Sequence, residues 1–182
     1  MRGVLRYISL VSLLIAGSLP AMAEYCTNIK EFVPPTTPLE DFRITPEGTV
    51  IHQKTGLEWM RCSLGQNWNG SSCTGEAEAF SWRLAVRAGE QQTFAGHSDW
   101  RLPDKDELAS IIEQRCFSPA VNEVIFPNTS SNWYWSSTLD PHFSFVAWYI
   151  TFYNGRADSG FRTDSNGRVR LVRGTPLATA AQ

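Results

Sequence analysis

The stretch VAWYITFYNG, residues 146–155, carries the clearest sheet pattern in this chain. Its side chains fall into two alternating sets before the pair Asn154-Gly155. Alternation with a period of two is typical of a β-strand, and Asn-Gly is typical of the tight turn that closes a hairpin. The alternating sets are Val146, Trp148, Ile150 and Phe152 against Ala147, Tyr149, Thr151 and Tyr153. The pattern predicts a strand-rich second half that begins near Trp133.

Two further segments extend this prediction on either side. Residues 164–167 (DSNG) form a second turn, which leads into a final strand over residues 168–173. Upstream, the β-type runs 49–52 and 57–62 are separated by QKTG and predict another hairpin. Trp100, Trp135 and Trp148 are predicted to be core aromatics.

Two helices are predicted between the hairpin and the later strands. Asp104 followed by Glu107 forms a capping box, and Leu108, Ile111 and Ile112 supply the buried face of a helix that reaches about Arg115. An earlier helix, ending at Gly89, is predicted from an apolar stripe formed by Ala77, Phe80, Leu84 and Ala88. Helices placed early and strands placed late predict an α+β domain.

The N-terminus predicts export. Arg2 and Arg6 precede an apolar run over residues 8–19, and Ala21-Met22-Ala23 is typical of a signal-peptidase site, so residues 1–23 are predicted to be a signal peptide. The run is too short for the roughly 20 residues that span a bilayer, so no stable membrane insertion is expected. We predict a Pro-rich, extended and partly ordered arm over residues 24–47, the domain over 48–173 and a flexible tail over 174–182. The product would be periplasmic or secreted.

The net charge limits the kind of partner, and the cysteine content indicates disulfides. Loss of Arg2 and Arg6 leaves 14 basic residues against 18 acidic ones, a formal charge of −4, which argues against nucleic acid or an anionic membrane as a partner. Four cysteines in an oxidising compartment indicate two disulfides. Three pairings of the four cysteines are possible. A local Cys62–Cys73 bridge across a turn-rich segment is favoured, and Cys26 would then pair with Cys116. Metal ligation is a rival interpretation, but the spacings are not CxxC.

Several segments, in order along the chain, resemble the Lcl C-terminal domain family. The resemblance covers roughly residues 50–173. It implies a C-type-lectin-like fold, in which two helices pack on a twisted antiparallel sheet with long loops, neighbouring terminal strands and a loop-rich binding face. The segments that carry it are KTGLEW (54–59), AGHSDWRLP (95–103), FPNT (126–129), WYWSST (133–138), AWY (147–149) and VRLVR (169–173).

No pattern of catalytic residues is found. His97-Ser98-Asp99 holds the residue types of a hydrolase triad, but neighbours in sequence cannot adopt the triad geometry. The related formylglycine-generating enzymes work through cysteines near the C-terminal end, and here the last cysteine is Cys116. We therefore expect no enzyme activity, no cofactor and no metal site. Calcium binding is an open alternative, because the loop residues Asp140, Asp158 and Asp164 could supply oxygen ligands, although their spacing does not match an EF-hand.

The resemblance places a candidate binding face in the loops 139–143 and 154–167. Aromatic faces beside amide and charged groups suit sugar rings and peptide surfaces alike. The leading hypothesis is a non-catalytic recognition domain for a glycan or a protein at the cell envelope or outside the cell, and the alternative is a periplasmic inhibitor or immunity-type protein that blocks an enzyme. An equally open interpretation is that these are only solvated loop residues. The candidate residues are Asp140, His142, Phe143, Tyr153, Asn154, Arg156, Asp158, Arg162, Asp164 and Asn166.

Overall fold

The computed structural model describes residues 25–175. The predicted signal peptide and residues 176–182 of the predicted tail lie outside them. A 3-10 turn at Leu39–Asp41 precedes the first strand. The strands are β1 (Phe42–Ile44), β2 (Thr49–His52), β3 (Leu57–Met60), β4 (Asn67–Trp68), β5 (Cys73–Thr74), β6 (Trp133–Leu139), β7 (Val146–Thr151), β8 (Arg156–Phe161) and β9 (Val172–Arg173), and the helices are α1 (Trp82–Gln91) and α2 (Lys105–Ala109).

The described chain is an α+β domain with antiparallel strands, as predicted, but its strands form three sheets. One sheet has the order β1-β2-β3-β9, one the order β6-β7-β8, and β4 pairs with β5. The expectation of one twisted sheet is therefore wrong. Tyr134 of β6 forms a single bridge with Arg168, which lies in the segment that leads into β9, and packed side chains join the two larger sheets.

Both predicted hairpins are confirmed. His52 pairs with Leu57 across the turn at residues 53–56. Thr151 pairs with Arg156 across a turn that includes Asn154-Gly155. The last strand, β9, pairs with β3, so the C-terminal end of the domain lies beside its first hairpin.

The core has two parts, one on each side of the β6-β7 pair. Tyr134 and Ile150 pack with α2, whereas Trp135 and Ala147 pack with Trp100 and the segment before β9. Trp100 and Trp135 are buried, as predicted. The prediction for Trp148 is wrong: its side chain is only partly buried, and the Lys105 ammonium lies 5.8 Å from its ring.

The helices differ from their predicted limits. Helix α2 has the predicted capping box at Asp104, but it ends at Ala109, and Ile111 and Ile112 are buried in the turns that follow. Helix α1 buries Ala85 and Gly89, whereas Leu84 is 52% exposed. A β-carbon at Gly89 would lie about 3 Å from the Arg101–Leu102 backbone. Because that segment packs so closely, α1 buries its face of small residues rather than the face that carries Leu84.

The segment before residue 48 is attached to the domain rather than extended away from it. Strand β1 joins the four-stranded sheet. The backbone N–H groups of Thr36 and Thr37 donate to the carboxylate of Glu113, whose side chain is buried. Disulfides join Cys26 to Cys116 and Cys62 to Cys73, which confirms the favoured pairing; the Cα atoms of each pair are 5.4 Å apart. Across residues 25–175, no helix is long and apolar enough to cross a membrane.

Candidate ligand-binding surface

The β6–β7 loop and the segment after β8, which belong to the two stretches predicted to bind ligand, meet at one end of the β6-β7-β8 sheet. The second stretch is not all loop, because it contains β8. The backbone N–H of Arg162 donates to the carbonyl oxygen of Phe145 at 3.0 Å, and its guanidinium Nη1 donates to that of Ser144 at 2.8 Å. The Asp140 carboxylate accepts hydrogen bonds from the backbone N–H groups of His142 and Phe143. Asp140 therefore shapes the β6–β7 loop, and Arg162 holds it against the loop after β8.

The structure does not bring all ten predicted residues together. Tyr153, Asn154 and Arg156 lie at or beside the β7–β8 turn, at the opposite end of the sheet. Strand β7 separates the two groups by roughly 17 Å, at about 3.3 Å per residue. The ten residues therefore do not form one continuous face, and their role in binding stays a prediction. The group at the loop end consists of Asp140, His142, Phe143 and Arg162, with Asp164 close by. Asp158 lies within β8, and Asn166 precedes the segment that runs beside the start of β6.

A cavity of about 460 Å³ opens on the β7-β8 part of the sheet, and we call it the aromatic cleft. Its rings are Trp133, Tyr149 and Phe161, its carboxylate is Asp164, and Gly160 leaves room between them. The ring centroids of Trp133 and Tyr149 are 4.4 Å apart. A β-carbon at Gly160 would lie 3.3 Å from both the Tyr149 ring and the Asp164 carboxylate, so glycine keeps this part of the cleft open.

Acidic groups surround the phenol of Tyr149. Asp158 is its cross-strand partner, and Asp164 lines the same cleft. Burial raises the pKa of Tyr149, and the negative charges of Asp158 and Asp164 raise it further because they disfavour a phenolate. The hydroxyl therefore stays protonated at neutral pH. The cleft offers a hydrogen-bond donor, carboxylate acceptors and aromatic faces.

Three exposed phenylalanines lie at the loop end of the sheet, and we call them the phenylalanine surface. Phe143, Phe145 and Phe161 each expose 55–56% of their surface. Phe145 is the middle ring: its centroid is 5.7 Å from that of Phe143 and 6.0 Å from that of Phe161. Exposed aromatic groups of this kind are typical of contact surfaces rather than of a solvated loop.

Sequence reasoning missed Trp133, Tyr149 and Gly160. The aromatic residues lie in strands whose alternation was recognised, but alternation does not show which stretch of a sheet stays open to solvent. The glycine interrupts the β8 pattern, and a glycine inside a strand is a recognised sign of close approach by another group. Because residues 154–167 were expected to be a loop, this sign was not recognised.

The other polar groups considered in the sequence have structural partners. Asp99 Oδ1 accepts from Arg173 Nε at 2.8 Å, and this hydrogen bond lowers the pKa of Asp99. His97 pairs through its backbone with Phe94 in a tight turn. Among residues 25–175, no group of three or more His, Cys, Asp or Glu side chains is arranged to hold a metal ion.

These features define a small α+β domain, cross-linked by two disulfides, with a ligand-sized cleft on one sheet. A family model described as the Lcl C-terminal domain matches residues 48–173. The chain therefore belongs to the Lcl C-terminal domain family, and the resemblance read from its motifs is confirmed. A search of curated proteins finds no match.

Proposed function

We propose that this protein is an exported, non-catalytic recognition domain that binds a glycan in the aromatic cleft. The observation that carries the proposal is the cleft itself, where the Trp133–Tyr149 ring pair lies beside the carboxylates of Asp158 and Asp164. Sugar rings stack on aromatic faces, and their hydroxyl groups donate to carboxylates. The volume of about 460 Å³ lies in the range of small-molecule pockets, roughly 300–1,000 Å³.

The charge of the cleft selects among sugars. Its lining includes Asp164 and no basic residue, and Asp158 lies close to Tyr149. Two carboxylates repel an anionic sugar and favour neutral or amino sugars, because like charges in a partly desolvated site are costly. We therefore propose a neutral or amino sugar as the preferred ligand.

We propose a C-type-lectin-like fold and export to the periplasm or beyond. Two helices beside antiparallel strands and the β3–β9 pairing near the chain ends support the fold. Two disulfides are typical of oxidising compartments and support export, together with the predicted signal peptide. All four cysteines are in disulfides, which supports a non-catalytic role because none is left as a free thiol nucleophile.

The test is a glycan array followed by calorimetry with the exported protein, purified without reductant. Asp164→Asn and Trp133→Ala are expected to weaken binding at least tenfold, since each removes a main contact. Tyr153→Ala is the matched control, because Tyr153 is an exposed aromatic residue at the opposite end of the sheet. Thermal unfolding of each variant checks folding. No glycan bound by the wild type, or equal loss in Tyr153→Ala, would overturn the proposal.

The phenylalanine surface favours a second candidate, an inhibitor or immunity-type protein that blocks an enzyme. Exposed aromatic residues are enriched in protein interfaces. Co-purification from the native cell envelope followed by light scattering would reveal a one-to-one complex. Phe143→Ser and Phe161→Ser should release the partner, and a complex that survives both changes would exclude this role for the surface.

A further inference from the structure

A second cavity, of about 420 Å³, lies between the start of α1 and the turn after β8. Its lining consists of Ser81, Arg83, Phe145, Arg162 and Thr163, and we call it the arginine pocket. The backbone N–H of Trp82 donates to the carbonyl oxygen of Arg162 at 3.2 Å, so a backbone hydrogen bond joins the two walls. Its polar character is the reverse of that of the aromatic cleft, because two cations and two hydroxyls line it.

Neither arginine is neutralised within the described chain. Among residues 25–175, no ion pair involves Arg83 or Arg162. The Arg162 guanidinium lies over the Trp82 ring at 4.2 Å, and its Nη1 donates to the carbonyl oxygen of Ser144. Its Nε is buried and has no hydrogen-bond partner among the described residues. Arg162 is thus held in place, while its charge stays available to an anion.

The Ser81 hydroxyl and the N-terminus of α1 also favour an anionic ligand. Ser81 is the N-cap of α1, but its side chain makes no capping hydrogen bond, so the hydroxyl is available to a ligand. The first turn of α1 contains no acidic residue and includes Arg83. The cavity and the two guanidinium groups define the site. The positive end of the helix dipole adds to their positive potential.

We propose that the arginine pocket binds an organic acid, with its carboxylate between Arg83 and Arg162 and its carbon skeleton against Phe145. Guanidinium groups match carboxylates through paired N–H donors. The volume is that of a small-molecule site and exceeds what a single inorganic ion fills. This inference goes beyond the glycan proposal, since it concerns a separate cavity with the opposite charge.

The test is an NMR titration of the ¹⁵N-labelled exported protein at constant ionic strength with acetate, benzoate and benzyl alcohol. Saturable shifts are expected for the amides of Ser81, Arg83 and Thr163. Benzoate should bind more tightly than acetate because its ring contacts Phe145, and benzyl alcohol should bind at least tenfold more weakly than benzoate because it lacks the charge. Glucuronate and N-acetylphenylalanine, added in separate arms, show whether a sugar acid or a peptide carboxylate fits better.

Two variants test whether the arginine pocket is responsible for benzoate binding. Arg83→Gln should weaken benzoate binding about tenfold or more, whereas Arg87→Gln, an exposed position one turn along the same helix and outside the pocket, should leave it unchanged. Thermal unfolding confirms that both variants fold. Shifts that do not saturate, equal affinity for benzoate and benzyl alcohol, or equal effects of the two variants would overturn the proposal.

Discussion

Replacing Glu113 by Gln should destabilise the protein and loosen the N-terminal segment around Thr36 and Thr37. Its buried carboxylate accepts hydrogen bonds from the backbone N–H groups of Thr36, Thr37 and Arg115 and from the Thr37 hydroxyl, at 2.7 to 3.0 Å. A glutamine keeps one acceptor oxygen and turns an amide N–H group toward the remaining donors. At roughly 1.5–3 kcal/mol for each hydrogen bond to a charged group, the variant should lose about 2–4 kcal/mol of unfolding free energy.

The pH dependence of this loss gives a second test. Burial raises the pKa of Glu113, but the hydrogen bonds from Thr37, Arg115 and Thr36 outweigh it, so the net pKa is below its usual value. A lowered folded-state pKa stabilises the protein above the unfolded-state pKa, which is about 4.3 for Glu, and this contribution disappears as the pH falls through the folded-state value. The difference between wild type and Glu113→Gln should therefore shrink below about pH 4.

Urea unfolding followed by tryptophan fluorescence at pH 7 and at pH 3 measures both effects. Hydrogen exchange at the Thr36 and Thr37 amides provides the local readout, and both amides should exchange faster in the variant. Glu90→Gln, at an exposed position on α1, is the control and should change stability by less than about 0.5 kcal/mol. A loss at pH 7 no larger than that of the control, or a loss of the same size at both pH values, would refute this account of Glu113.

Three further changes test the close packing, the long-range disulfide and the aromatic cleft. Gly167→Ala should destabilise the protein by about 1–3 kcal/mol in urea unfolding, because its β-carbon would collide with the Trp135 indole; a neutral effect would contradict the close packing. Replacing Cys26 and Cys116 together by Ser should cost about 2–5 kcal/mol in the same assay, since the bridge closes a sequence separation of 90 residues, and an unchanged midpoint would contradict this. Gly160→Val should leave the melting temperature within a few degrees but weaken glycan binding at least tenfold, and unaltered affinity would argue against the aromatic cleft as the binding site.

Local patterns predicted those features that depend on neighbours in the chain. The Asp104 capping box, the two hairpin turns and the Cys62–Cys73 bridge each involve residues within about a dozen positions of one another. Their geometry follows from local backbone preference and short loop closure. The limits of α1 and the partial exposure of Trp148 could not be read this way, because they depend on distant segments that pack against them.

The candidate site shows the same division. The sequence pointed to the loops around Asp140 and Arg162, which the structure brings together at one end of the sheet. It grouped Tyr153 with them, because a sequence pattern does not show that β7 carries the chain to the other end of the sheet. Trp133 and Tyr149 were not singled out, since an aromatic residue in a strand is compatible with either a buried or an open face.

By itself, the sequence determined the family, the α+β class, the two hairpin turns, the helix cap and the cysteine content, because these are fixed by residue type and short spacing. Only the tertiary structure decided that the strands separate into three sheets, that the segment before residue 48 is anchored by the buried carboxylate of Glu113, and that an acidic aromatic cleft and a basic pocket lie near each other. The stacked rings of Phe145 and Phe161 connect the two cavities. Each of these features brings together side chains far apart in sequence, and no periodicity along the chain encodes such contacts.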